Sequence, residues 1–119
     1  MGLAKNNRLK HWRDFRKVYA KGKRFHGRNV VLITYRDQES PQDFTKVGIS
    51  ISRQVSKRAV VRNRIKRRIR QAFHLLLSGI KPGLKIIVIV RSNTTECEYE
   101  DFLRELEKLL IKAEVLYGH

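Results

Sequence analysis

The clearest pattern of apolar and polar positions runs from Ser50 to Leu77, where an apolar residue recurs every three or four positions. At about 100° per residue, four apolar residues fall within about 40° of Ile65 on a helical wheel. They are Val61, Ile69, Ala72 and Leu76. The pattern predicts a helix with one core-facing stripe, which begins near Ser56 as N-cap and stops at Ser78-Gly79.

The same spacing predicts a helix at each end of the chain. From Arg8, apolar residues recur at helical spacing until Gly22, and they are Leu9, Trp12, Phe15, Val18 and Tyr19. Near the C-terminus, Thr95 and Glu98 have the spacing of a capping box and predict the start of a last helix. Its inward residues are Tyr99, Phe102, Leu106, Leu109, Leu110 and Ala113, and we interpret it as a lid on the core.

Three segments have the pattern of strands. Asn29–Arg36 is apolar and β-branched, and Thr45–Ser52 alternates apolar and polar residues, so these two can pair as an antiparallel hairpin. Leu84–Arg91 is a nearly unbroken apolar run, which is typical of a strand buried on both faces. A short extra strand can also form near Lys23–His26.

These elements predict an α+β fold in which the sheet packs against helices. Residues 45–91 form a βαβ unit, so the central helix packs its stripe on the sheet and directs its other residues outward. We expect residues 1–119 to be a single sandwich domain of order α-β-β-α-β-α, with a flexible lead at residues 1–7.

Charge is distributed unevenly along the chain. Lys and Arg number 27 against 11 Asp and Glu, which gives a formal net charge of +16. No acid occurs from Phe44 to Thr95, whereas residues 96–119 contain seven of the eleven acids. The central helix therefore lacks its own counter-charge, and its cations indicate a polyanionic partner such as nucleic acid.

Two features bear on cellular location. No run approaches the ~18 apolar residues that span a membrane, and no secretory segment follows the start. Cys97 is the single cysteine, so it cannot form an internal disulfide, and a reducing cytoplasm is the simplest location. We expect Cys97 to be an ordinary residue in the first turn of the last helix.

The residue types offer little catalytic chemistry. The four histidines, His11, His26, His74 and His119, are scattered and show no metal-ligand spacing. A nuclease needs carboxylates to hold metal ions against the scissile phosphate, yet the most basic half of the chain has none. The chain is therefore a better candidate for holding nucleic acid than for cutting it.

Phe15 and Tyr19 allow two interpretations. They lie four residues apart on one helix face, so they can be core rings, which is the commoner case at this spacing. They can also line a cleft in which unpaired bases stack on them, amid Arg16 and Lys17.

Three stretches together match a known pattern. The central helix contains Arg62-Asn63-Arg64-Ile65-Lys66-Arg67, then Ile69-Arg70 and Phe73. Gly48–Arg53 and Ala59-Val60 precede it, and Arg8-Leu9, Asp14-Phe15, Val18-Tyr19 and Gly22 stand in the first helix. From about Asn7 to Tyr117, the chain resembles the bacterial ribonuclease P protein component.

The resemblance implies the protein subunit of an endoribonuclease that removes the 5′ leader from precursor tRNA. In that family a catalytic RNA performs the Mg²⁺-dependent cleavage, and the protein supplies no catalytic residue. The implied partners are the catalytic RNA, with one protein per RNA, and precursor tRNA. The family also has a left-handed βαβ crossover, against the usual right-handed rule.

The resemblance also implies two sets of contacts by position. The residues implied to bind the catalytic RNA are Arg53, Arg58, Arg62, Asn63, Arg64, Lys66, Arg67 and Arg70. Those implied to bind the leader are Phe15, Arg16, Lys17, Tyr19, Ile33 and Tyr35. Ile33 stands where the family often has an aromatic residue, and Tyr35 lies on the same strand face.

Two other functions are compatible with a basic helix on a sheet. One is a free-standing RNA-binding or ribosome-associated regulator with no part in cleavage. The other is an autonomous nuclease, which the distribution of carboxylates disfavours.

Overall fold

The structure is a computed structural model that describes residues 3–39, 41, 43–91 and 94–117. Within these ranges the elements are α1 (Trp12–Lys21), β1 (Lys23–His26), β2 (Val30–Arg36), β3 (Lys46–Ser50), α2 (Ala59–Leu76), β4 (Leu84–Val90) and α3 (Tyr99–Lys112). The α+β class is confirmed, and the short extra strand is β1 at the predicted residues. None of these helices is long and apolar enough to cross a membrane. His119 lies outside the described residues.

The strands form one mixed sheet in the order β1-β2-β4-β3. Strand β4 pairs antiparallel with β2 and parallel with β3, so β3, α2 and β4 form the predicted βαβ unit. The predicted hairpin between β2 and β3 is wrong, because β4 lies between them. Strand β4 is an almost unbroken apolar run, and a central position is what buries both of its faces.

Alternate residues of the two central strands lie in separate apolar clusters on the two faces of the sheet. Leu32 and Val88 belong to a larger cluster that includes residues of α2 and α3. Their neighbours Ile33 and Ile87 belong to a smaller cluster that includes Val18 of α1. Because side chains alternate along a strand, α1 covers one face of the sheet and α2 with α3 covers the other.

The core-facing stripe of α2 is confirmed, and the entry to the helix differs from the prediction. The buried residues of α2 are Ile65, Ile69, Ala72, Phe73 and Leu76. Arg58 rather than Ser56 precedes the first helical residue, and the Ser56 hydroxyl accepts a hydrogen bond from the Arg58 backbone N–H at 3.2 Å. Helix α2 ends at Leu76, and a 3-10 turn continues to Gly79, close to the predicted stop.

Residues 3–9 run along the outer edge of β3 before α1 begins. Leu3 is buried in the larger cluster and Leu9 in the smaller one, so this segment passes from one face of the sheet to the other. Arg8 forms a parallel bridge with Val47, whose carbonyl accepts a hydrogen bond from the Leu9 N–H at 2.9 Å. This pairing explains why α1 begins at Trp12 and not at the predicted Arg8. In the lead predicted to be flexible, residues 3–7 thus pack beside the sheet, and Met1 and Gly2 lie outside the described residues.

Helix α3 closes the larger cluster, as expected of a lid, but it begins later than predicted. Its buried residues are Phe102, Leu106, Leu109 and Leu110. The capping box consists of Glu98 and Asp101 instead of Thr95 and Glu98. Cys97 therefore precedes the helix and does not lie in its first turn.

Candidate nucleic-acid interface

On the face that carries α1, the partly buried side chains form what we call the aromatic surface. It consists of Phe15, Tyr19, Tyr35 and Ile89, all half-buried and packed against the smaller cluster. Phe15 and Tyr19 therefore combine the two interpretations of the sequence: each ring contacts the core, and each keeps surface open to solvent. Exposed ring surface is what a base needs for stacking.

Ile33 does not share this property, which corrects the implied leader contact at this position. Its side chain has no exposed surface, because the end of α1 lies directly over it. A Cβ added to Gly22 would lie 2.5 Å from Ile33 Cγ2. Ile33 therefore packs beneath α1, while Tyr35, two residues along the same strand face, is half-buried and accessible.

Gly48 of β3 makes room for the Phe15 ring. A Cβ at this position would lie 2.5 Å from Phe15 Cζ and 2.8 Å from Cε1. Carbon atoms pack best at about 3.5–4.0 Å, so the ring occupies the space that any other residue at position 48 would fill. The glycine thus fixes how deeply Phe15 sits on the sheet.

Cations surround the aromatic surface. The Lys17 Nζ lies 5.8 Å from the centroid of the Tyr35 ring, and the Arg24 Cζ lies 5.8 Å from the centroid of the Tyr19 ring. Both distances suit cation–π attraction. Arg24 lies on β1 and its contact with Tyr19 has no signal in the sequence, because it depends on how α1 crosses the sheet. Phosphates of a strand bound on these rings would meet positive charge.

Trp12 is the exposed member of the apolar series that predicts the first helix. Its side chain is 62% exposed, although it lies at helical spacing from Phe15 and Tyr19. The Arg13 Cζ and Arg16 Cζ lie 5.7 and 5.4 Å from the centroid of its ring. Trp12 is the first residue of α1, one turn before Phe15, whose ring packs over Gly48 of β3.

Lys85 joins α1 to the sheet beside the aromatic surface. Its Nζ lies 3.0 Å from Asp14 Oδ1 of α1 and 3.2 Å from Asp37 Oδ2 after β2. Burial alone would lower the pKa of Lys85, but the hydrogen bonds to the two carboxylates raise it above its ordinary value. Burial would likewise raise the pKa of Asp37, yet its bonds to Lys85 and to the Glu39 N–H bring it below the usual range. Two of the few acids near this surface therefore share one ammonium within the protein.

Helix α2 presents what we call the basic surface, which comprises the eight residues implied to bind the catalytic RNA. Its exposed members are Arg53, Arg58, Asn63 and Arg67, and its half-buried members are Arg62, Arg64, Lys66 and Arg70. All eight lie on α2 or in the segment between β3 and α2, and none is fully buried. The Arg62 Nη1 donates to the Ser56 carbonyl at 2.9 Å and so orders that turn.

Two arginines of the basic surface lie in unfavourable surroundings that the described residues do not offset. The Arg64 Nε is buried without a hydrogen-bond partner among the described residues. Burial, together with the nearby charge of Arg8, lowers the pKa of Arg70. A buried donor without an acceptor and two neighbouring like charges both cost stability. A phosphate near Arg70 would offset the repulsion from Arg8, so Arg8, which the resemblance did not place among the RNA contacts, joins the candidate interface.

Arg68 shows that a cation on α2 is not necessarily free to bind RNA. Its Nη1 donates to the Cys97 carbonyl at 2.7 Å, and its Nη2 lies 3.2 Å from Glu98 Oε2. Arg68 thus holds α2 to the start of α3.

In the part of the chain that the structure describes, no three His, Cys, Asp or Glu side chains come together as metal ligands.

Comparisons with known proteins agree with the geometry. Residues 3–114 match the family model described as Ribonuclease P. The chain is 58% identical to the ribonuclease P protein component of Picosynechococcus sp. and 50% identical to that of Microcystis aeruginosa, over all of each chain. It superposes on the RNase P protein of Staphylococcus aureus with a TM-score of 0.83 at 35% identity, covering 94% of this chain and 99% of that one. For the RNase P protein of Thermotoga maritima the TM-score is 0.77 at 26% identity, over 88% and 96% of the two chains.

Proposed function

The chain belongs to the ribonuclease P protein family, and from this premise we propose that it binds the catalytic RNA and the 5′ leader of precursor tRNA, assisting RNA-catalysed removal of the leader. The observation that carries the proposal is the placement of the two surfaces. The aromatic surface lies on the face of the sheet that carries α1, and the basic surface belongs to α2 on the opposite face. One protein can therefore contact two RNA segments at once.

The basic surface suits a folded RNA. Its side chains are cations and one amide, which is the chemistry that recognises phosphates and sugar edges without reading a long sequence. The neighbouring charges of Arg8 and Arg70 support this assignment, because a bound anion would offset their repulsion. We assign the catalytic RNA to this surface.

The aromatic surface suits a single strand. Base stacking on aromatic rings is tolerant of sequence, and flanking cations hold the backbone of the strand. Phe15, Tyr19 and Tyr35 supply the rings, while Arg16 and Lys17 supply charge close to them. We assign the leader of precursor tRNA to this surface.

Within the described ranges, the carboxylates of the chain do not fit a Mg²⁺ site. Asp14 and Asp37 lie close together, but the Lys85 ammonium already engages both. Lewis-acid chemistry at the scissile phosphate needs oxygen ligands that are free to coordinate the metal. We therefore assign Mg²⁺ binding and bond cleavage to the catalytic RNA, and binding and positioning of the substrate to the protein.

The test compares precursor tRNA with mature tRNA in the presence of the reconstituted ribonucleoprotein. We expect the protein alone to leave precursor tRNA intact, and the ribonucleoprotein to bind the leader-bearing precursor more tightly than mature tRNA. Substituting Phe15→Ala should weaken binding of the precursor by about 5- to 150-fold, since stacking contributes about 1–3 kcal/mol per base. Binding of mature tRNA should stay unchanged.

Phe25→Ala is the matched control. Phe25 is also a half-buried ring on the sheet, but it packs against the larger cluster on the opposite face. It should lose stability in urea unfolding as Phe15→Ala does, without a leader-specific effect. Cleavage by the protein alone, or equal losses for precursor and mature tRNA in Phe15→Ala, would refute the proposed function.

A further inference from the structure

Trp12 is a large apolar side chain that the fold leaves in solvent. It is the only tryptophan of the chain, and 62% of its surface is exposed at the first residue of α1. An exposed aromatic ring of this size is available for contact with another molecule. Its surroundings indicate which kind of molecule fits.

The position of Trp12 continues the aromatic row of α1. Phe15 and Tyr19 follow it by three and seven residues, the spacing of one helix face. The Phe15 ring packs over Gly48 of β3, and the end of α1 lies over Ile33 of β2. Helix α1 thus crosses the sheet from the β3 side towards β2, and Trp12 lies about one turn beyond Phe15, on the outer side of β3. Its ring is therefore aligned with the aromatic surface but is not covered by the sheet.

The charges around Trp12 favour a nucleotide. Arg13 and Arg16 both place their guanidinium groups within 6 Å of the ring centroid, at 5.7 and 5.4 Å. The nearest acid in the helix, Asp14, is bound to Lys85. A ring flanked by two guanidinium groups attracts a ligand that combines a flat π surface with a phosphate, whereas an apolar protein partner would have to desolvate both charges.

We propose that Trp12 is an additional nucleotide-binding position, at which one unpaired base of the precursor-tRNA leader stacks beyond the bases on Phe15 and Tyr19. Arg13 and Arg16 hold the ring in place and contact the flanking phosphate. This inference rests on the proposed function, since it assumes that the leader lies on the aromatic surface. It predicts that the protein binds precursor tRNA more tightly when the leader is long enough to reach the outer side of β3 than when the leader is shorter.

The single tryptophan allows a direct test, because its fluorescence reports position 12 alone. The reconstituted ribonucleoprotein is titrated with mature tRNA and with precursor tRNAs whose leaders increase one nucleotide at a time. Stacking of a base on the ring should quench the emission only when the leader exceeds a threshold length. Mature tRNA and leaders below the threshold should leave the emission unchanged.

Binding assays with variants complete the test. Trp12→Ala should weaken binding of long-leader precursor by about fivefold or more, and should not affect precursors below the threshold. Trp12→Phe should restore most of the loss, because a ring remains. Tyr117→Ala is the matched control, since Tyr117 is a comparably exposed ring at 59% far along the chain, and it should have no effect on either substrate.

The possible outcomes separate this inference from the proposed function. If the wild type prefers precursor over mature tRNA but the emission never changes and Trp12→Ala is silent, the inference fails alone. If the emission changes when the catalytic RNA binds, before any tRNA is added, Trp12 contacts that RNA and the inference also fails. If the wild type binds precursor and mature tRNA equally, the proposed function fails with it.

Discussion

Substituting Gly48→Ala tests how the sheet positions Phe15. The added methyl would lie 2.5 Å from Phe15 Cζ and 3.3 Å from Leu9 Cβ, which is about 1 Å inside normal contact with the ring. Overpacking of this kind costs about 1–3 kcal/mol. The ring is only half-buried, so it should move outward, and leader binding should weaken together with stability.

The same substitution in a Phe15→Ala background separates the steric effect from other effects. Without the ring, the nearest contact that remains of those two residues is the looser one with Leu9 Cβ, at 3.3 Å. No positive φ opposes alanine at position 48, and removing a glycine stiffens the unfolded chain, which stabilises by about 0.4–1 kcal/mol. Gly48→Ala should therefore be destabilising in the wild type and neutral or stabilising in Phe15→Ala.

The assay is urea unfolding of the four proteins in this double-mutant cycle, with precursor-tRNA binding measured in parallel. The expected coupling energy is at least as large as the cost of Gly48→Ala in the wild type. Additive effects would show that the Phe15 ring does not sit over Gly48. A destabilised Gly48→Ala protein that binds the leader at full affinity would show that the depth of the ring does not matter for RNA.

Three further substitutions follow from the charged contacts. Lys85→Met should lower the free energy of unfolding by about 1.5–3 kcal/mol. This difference should shrink as pH falls. The contribution of Asp37 to stability is fully present above its unfolded-state pKa of about 3.9 and is lost as pH falls through its lower folded-state pKa. Urea unfolding of both proteins from pH 7 to pH 2 measures the difference, and a constant difference would contradict the contact between Lys85 and Asp37. Arg67→Ala should reduce the salt slope of RNA binding by about 0.7–0.9 while changing stability by less than about 0.5 kcal/mol; an unchanged slope would mean that Arg67 meets no phosphate. Arg68→Ala, on the same helix, should have the opposite pattern: it should lower the free energy of unfolding, through the lost contacts to Glu98 and the Cys97 carbonyl, and leave the salt slope unchanged. A reduced salt slope would contradict the structural role of Arg68.

Local patterns in the sequence were sufficient for most of the secondary structure. The stripe around Ile65 and the apolar run of β4 each depend on residues within one element, so periodicity alone predicts them. The order of the strands could not be predicted in this way, because β4 joins β2 and β3 across long stretches of chain. The start of α1 also required the tertiary structure, since the pairing of Leu9 with Val47 decides where the helix begins.

In the candidate site, too, features within one element could be predicted from the sequence, and features that depend on tertiary contacts could not. The basic surface follows from α2, because its cations are neighbours in the sequence. The exposure of Trp12, the burial of Ile33 and the proximity of Arg8 to Arg70 each depend on how distant elements meet. The same holds for Lys85, whose partner Asp14 is 71 residues away. The RNA contacts of both surfaces stay predictions that the experiments above can decide.

Residues 3–9 pair at Val47 with the side of β3 that faces away from β4. A strand with unpaired backbone groups along one side can recruit a matching strand from another copy, which is a common origin of aggregation. Limited proteolysis between Leu3 and Leu9 should therefore produce turbidity at high protein concentration before any loss of helical circular dichroism. The shelf life of the purified protein then depends on keeping this short segment uncut.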